Sequence, residues 1–208
     1  MISTAIKLFL FRQLAFPRYG FARWKSVLAL TLTAFIYAVV PDASPDGAGD
    51  EAFPLWISVT LAIVTQWVSF FSVYIVLCWW LRRCDRWDGR GDYFNLLAAS
   101  WFIADLLSAY LPVLGVRSDL LTLLFALYSF AITIRATLGA ISGLTLGYVF
   151  TGVCLSVVVM SFVSTDVHEH LSALLMQSED WPWLAEERSC PTCDENPWFL
   201  HTLPAVEI

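Results

Sequence analysis

Apolar residues run through this chain in long blocks, with the polar residues gathered between them. Five blocks stand out: residues 26–40, 55–81, 94–116, 120–138 and 141–163. The second holds 27 residues and the fifth 23, and neither contains a charge. About 20 apolar residues in a helix cross the hydrocarbon of a bilayer. Each block therefore predicts a transmembrane helix, and the second is long enough to tilt or protrude. The blocks lack the polar stripe of a soluble bundle helix and the dyad alternation of a barrel strand. The predicted fold is all-α, a polytopic five-transmembrane-helix bundle.

The two ends of the chain read differently. Ile2, Ile6, Phe9, Leu10 and Leu14 share one helical face, with Lys7 and Arg12 beside it, before Pro17 and Gly20 break the pattern. This predicts an N-terminal interfacial amphipathic helix. It serves either as a basic anchor that sets orientation or as a site of lipid recognition. No small-residue cleavage site follows it, so it does not read as a cleavable signal. At the other end, Asp166 and Glu169 resemble a capping box, and Val167, Leu171, Leu174 and Leu175 then share a face. Beyond Gln177 come Pro, Trp and Cys in an extended pattern. The predicted organisation is a basic segment over 1–25, a membrane domain over 26–163 and an acidic tail over 164–208.

Composition narrows the class. Of 208 residues, 58% are hydrophobic and 14% charged, with a mean hydropathy of +0.67. Soluble domains carry about a quarter charged residues, so a soluble enzyme, a disordered chain and a secreted disulfide scaffold are all disfavoured. The net charge of −6 is an average of opposed regions. Ten of the 12 basic residues fall before the first block, between the second and third, or near the fourth-to-fifth turn. Arg117 and Arg188 are the other two. Acidic residues crowd into residues 42–51 and the tail. The basic bias predicts a cytoplasmic N-terminus and an outer or periplasmic C-terminus, in a bacterial inner membrane. Trp24, Trp56, Trp79 and Trp80 sit at block ends, as in an interfacial aromatic belt. Trp67 and Trp101 sit within blocks and are expected to pack between helices.

Four features invite a chemical reading. Asp105 lies inside the third block, where an ionisable group is costly unless paired, hydrated or protonated. Ser108 shares its face, Gln66 is a possible partner and Tyr110 points elsewhere. The group reads as a packing hydrogen bond or as a proton or cation site. Gly139, Gly143 and Gly147, spaced by four, form a small-residue stripe for close helix packing, within the chain or in a dimer. Cys190 and Cys193 are a candidate disulfide if the outer compartment oxidises. His168, His170 and His201 could complete a zinc site with that pair, but His168 and His170 point apart on a helix and a closed site needs four converging ligands, so a disulfide or free thiols are the leading reading. Arg82, Arg83, Arg86 and Arg90 form a basic loop that either sets topology or docks a partner. Its interleaved Asp residues make it a poor nucleic-acid surface. No phosphate-binding glycine loop, zincin motif or nucleophile elbow occurs.

The organisation also resembles the Ypt-interacting protein (Yip) family. Leu8-Phe9-Leu10-Phe11-Arg12 with Phe16-Pro17-Arg18-Tyr19 is similar to its amphipathic start and Pro-Arg-aromatic element. Gly89-Arg90-Gly91-Asp92-Tyr93-Phe94 is similar to its glycine-containing approach to the third helix. Leu127–Phe130 through Leu138–Leu144 resembles its fourth-to-fifth turn. The likeness spans residues 8–163, and the Cys-bearing acidic tail departs from it. It implies a prokaryotic-type member with five spans and no catalytic residues. The expected function is a non-enzymatic scaffold or modulator of other membrane components, without cofactor. Expected partners are the lipid bilayer and other membrane proteins or a second copy, with no nucleic acid. The alternatives are an accessory subunit docking through the tail and a small transporter or proton-coupled carrier using Asp105.

Overall fold

The protein is described here by a computed structural model, which covers residues 1–12, 14–39, 55–83, 87, 89, 91–111 and 119–177. Among these residues it is all-helical: α1 (Ile2–Phe9), a 3-10 turn (Phe16–Tyr19), α2 (Trp24–Val39), α3 (Leu55–Arg82), α4 (Tyr93–Tyr110), α5 (Asp119–Ala140) and α6 (Leu146–Gln177). Residues 1–170 form one compact unit. The described part of the second unit, residues 171–177, is the end of α6.

Helix directions follow from which ends meet. Ser26, in the first turn of α2, bonds Asn95 in the first turn of α4. Tyr93 at the start of α4 meets Thr137 near the end of α5. Trp80 near the end of α3 meets Tyr148 at the start of α6. Thus α2, α4 and α6 begin at the end of the bundle where α3 and α5 finish.

Helix α4 occupies the middle, touching α1, the 3-10 turn, α2, α3 and α5. Its first turns are buried on all sides: Tyr93, Asn95, Leu96, Leu97, Ala98, Ala99 and Ser100. The outer helices show the reverse of a soluble pattern. On α2 the buried seam is small or polar (Ser26, Ala29, Thr33 and Ala34, with Leu30), while Val27, Leu28, Leu32 and Phe35 point outward. Leu120, Leu123, Leu124 and Leu127 of α5 and Val158 and Phe162 of α6 are likewise exposed. Small residues at helix contacts and large apolar ones outside are what helix packing in lipid produces. Aromatic rings fill the α3–α4 contact, where Phe70 meets Phe94 at 5.1 Å and Trp101 at 5.8 Å. Trp67 packs on Phe71 and donates to Thr31 of α2 at 3.3 Å.

Among the described residues three helical stretches are long and apolar enough to cross a membrane, namely Leu55–Arg82, Leu123–Ala140 and Leu146–Leu175, where the blocks predicted five. Helix α2 is a shorter apolar helix of 16 residues, about 24 Å at 1.5 Å per residue. Helix α4 has 18 residues but carries Asn95 and Asp105. The fifth block is also redrawn. Residues 141–145 lie outside the helices, and α6 then runs unbroken through Asp166 and Glu169 to Gln177. Those two acids are helix interior, so no separate tail helix is capped there.

Candidate functional site

The densest polar site lies where the 3-10 turn, α2 and α4 begin together. Asp92 is the N-cap of α4, its Oδ1 accepting from the Asn95 backbone N–H at 3.2 Å. That satisfies one of the orphan donors at a helix start. Asp92 Oδ2 accepts from Arg23 Nε at 3.3 Å. The fully buried Asn95 side chain joins everything else. Its Nδ2 hydrogens are shared among the Tyr19 carbonyl at 2.9 Å, the Phe21 carbonyl at 2.6 Å and Asp92 Oδ2 at 3.0 Å. Its Oδ1 accepts from Ser26 Oγ at 2.7 Å. Carbonyls only accept, so the amide can face only one way. The fully buried Tyr19 hydroxyl has no hydrogen-bond partner among the described residues. Burial raises the pKa of this phenol above its ordinary value.

The loop before Asp92 is shaped to match. Gly91 has φ +102°, and a Cβ there would lie 2.4 Å from the Phe16 ring. Only glycine combines that backbone with so close an approach. The 3-10 turn is thus held against α4 by the Asn95 amide and by this contact. Further polar pairs stitch α4 to α5. Tyr93 and Thr137 hydroxyls lie 3.0 Å apart, and those of Ser100 and Thr133 lie 3.2 Å apart.

Asp105 is half-buried and accepts from Gln66 Nε2 at 3.4 Å, joining α3 to α4 as the sequence allowed. Tyr37 of α2 lies beside both Asp105 and Ser108. Tyr110 is half-exposed at the end of α4. Three helices therefore converge on one carboxyl group, a modest hydrogen-bonded cluster.

The glycine stripe is not a stripe. Gly139 belongs to the last turn of α5, Gly143 lies in the following turn with φ +83°, and Gly147 opens α6 with empty space where its Cβ would be. Spacing by four aligns residues only within one helix, and the helix stops at Ala140. Close approach occurs instead at Gly152, where a Cβ would sit 2.4 Å from the Trp80 indole. Trp80 donates Nε1–H to the Tyr148 carbonyl at 3.0 Å, so it packs between helices instead of joining the belt. Trp24, Trp56 and Trp79 are exposed, and the Arg83 guanidinium lies 4.4 Å from the Trp79 ring centre.

Arg82 closes α3, while Arg86, Arg90, Cys84, Cys190, Cys193 and His201 lie outside the described residues. Among the described residues no group of three potential metal ligands assembles. His170 faces Asp166 at 3.6 Å on the exposed surface of α6.

Helix α1 ends earlier than its apolar pattern predicts. Phe11 has φ +55°, and its N–H bonds the Leu8 carbonyl at 2.8 Å while that of Arg12 bonds the Lys7 carbonyl at 2.9 Å. This is a Schellman ending with phenylalanine in the left-handed position that glycine usually takes. Leu14 therefore leaves the helical face. Ala5 and Leu8 are buried, and α1 packs on α4 and α5. The Phe9 carbonyl accepts from the Tyr128 hydroxyl, and Phe11 lies edge-on to the same ring at 4.9 Å. Comparison with family models, with curated proteins and with solved structures finds no match to this chain.

Proposed function

We propose that the chain is a non-enzymatic integral membrane protein with five spans and a Yip-like architecture. In this reading it scaffolds or modulates other membrane components. Its N-terminus is cytoplasmic and its C-terminus periplasmic, in a bacterial inner membrane. The supporting observation is how the interior spends its polar groups. Asn95, Tyr93, Ser100, Thr133 and Thr137 bond one another or nearby backbone across helix contacts. They hold a shape. The alternating directions of α2 to α6 suit five crossings, with α2 a short span that presents its apolar side chains outward and α4 a short span enclosed by its neighbours. The test is isolation in mild detergent. Defined membrane proteins should co-purify in fixed ratio, and a solitary monomer that itself moves solute would contradict the proposal.

A second reading rests on the Gln66–Asp105 bond and on Tyr37 and Ser108 beside it. Carriers place polar groups from several helices at one depth. Asp105→Asn in reconstituted vesicles decides: a solute or proton flux that the parent shows and the variant loses supports a carrier. Equal flux in both removes it.

A further inference from the structure

The cationic corner at the C-terminal end of α1 is built from residues far apart in sequence. Arg135 of α5 donates Nε–H to the Phe11 carbonyl at 3.2 Å. Its guanidinium lies 5.9 Å from the Phe11 ring centre. Among the described residues its two terminal nitrogens have no protein acceptor. Arg12 follows Phe11 directly, and the Arg12 N–H is bonded to the Lys7 carbonyl. Lys7, Arg12 and Arg135 are all exposed. Among the described residues the nearest carboxylate in sequence to Lys7 and Arg12 is Asp92, and Asp92 is engaged by Arg23. The positive-φ conformation at Phe11 is unfavourable for a non-glycine residue. It persists because it points the Phe11 carbonyl at Arg135 and the Phe11 ring at Tyr128.

The apolar face of α1 is divided. Ala5 and Leu8 are buried in the bundle, whereas Ile2, Ile6 and Leu10 lie exposed in a line beside them. Ser3 and Lys7 continue round the helix into the polar arc. An exposed apolar stripe bordered by cations, on a bundle whose outer helices also expose large apolar side chains, matches one surface chemistry. It wants acyl chains beneath and phosphate alongside.

We propose that Lys7, Arg12 and Arg135 hold the phosphate of an anionic phospholipid while Ile2, Ile6 and Leu10 rest on its acyl chains. Arg135 contributes a planar fork suited to two phosphate oxygens. The occupant is a lipid and not an acidic protein segment, because the cations at the end of α1 and on α5 border an exposed apolar stripe, a pairing that asks for acyl chains as well as phosphate. The inference rests on the membrane reading, so membrane insertion is scored separately by resistance to alkaline extraction.

The full chain, inserted in mixed phosphatidylglycerol and phosphatidylcholine membranes and released in detergent, is examined by native mass spectrometry for retained lipid. The parent should retain phosphatidylglycerol preferentially. Neutralising Lys7 and Arg12 together (to Gln) leaves every Phe11 and Tyr128 contact in place. It should reduce the preference about five-fold per cation removed. Arg135→Gln should reduce it further, whereas Lys25→Gln, beside Trp24, should not. Equal retention of the two lipids by the inserted parent overturns the proposal. So does an unchanged preference in the Lys7/Arg12 double variant, or release of the lipid by inorganic phosphate at its own concentration. A chain that fails to insert overturns the membrane reading instead.

Discussion

At the scale of single residues, Asn95 matters most. One amide ties the 3-10 turn and α2 to the start of α4, reaching partners 69 and 76 positions away. Asn95→Ala leaves two carbonyls and a hydroxyl without their buried partner, a loss of about 2–4 kcal/mol. Asn95→Asp should be worse, because it turns an oxygen toward two carbonyl oxygens. Thermal unfolding in detergent should rank wild type, Ala and Asp in that order. Tyr19 is the opposite case. Its hydroxyl is buried without a partner among the described residues, so Tyr19→Phe should be neutral or stabilising by about 1 kcal/mol. Its raised folded pKa also sets a sign. The native chain keeps a proton that an unfolded chain releases above about pH 10. This contribution to stability is whole below that pH and lost as pH rises through the folded value. Tyr19→Phe should therefore flatten the alkaline arm of the stability profile. Neither role was legible beforehand, because a lone Asn at a helix start and a Tyr after Pro-Arg look ordinary. Asp105 with Gln66 was legible, since an acid in an apolar block demands a partner.

At the scale of elements, the apolar blocks foretold α2 to α5 closely, because a charge-free run leaves helix as the economical way to satisfy its backbone. What they missed were the ends. α1 stops at a left-handed phenylalanine, a position whose usual signature is glycine. The fifth block contains a turn at Gly143, and its helix then runs past the acids expected to start another. Close packing sits at Gly152 and Gly91, each facing a single aromatic ring, where no periodic pattern announces it. Gly152→Val should push the Trp80 indole off Tyr148 and separate α3 from α6, read as quenching or a red shift of tryptophan emission with a lower Tm. Gly147→Val, with open space around it, should change neither. Equal damage from both would mean the contact is misplaced.

At the scale of the whole molecule, helices α2 to α6 alternate in direction, and among the described residues three of them contain stretches that meet the length and apolarity of a crossing. In the proposed topology α2 and α4 span as well. Helix α4 sits in the centre and need not face lipid, which explains how it carries Asn95 and Asp105. Helix α2 presents large apolar side chains outward along its length. If they did not span, residues 40–54 would share a side with the N-terminus, and residues 112–118 would share a side with Gly89. The most direct measurement is therefore labelling of single cysteines by a membrane-impermeant reagent, in intact and in opened membranes. The positions are 3, 46, 89, 117 and 143 in a background without native cysteines. With five crossings, 46 and 117 label from outside, and 3, 89 and 143 label only after opening. Positions 3 and 46 on one side, with 89 and 117 together on the other, would contradict that topology and establish three crossings.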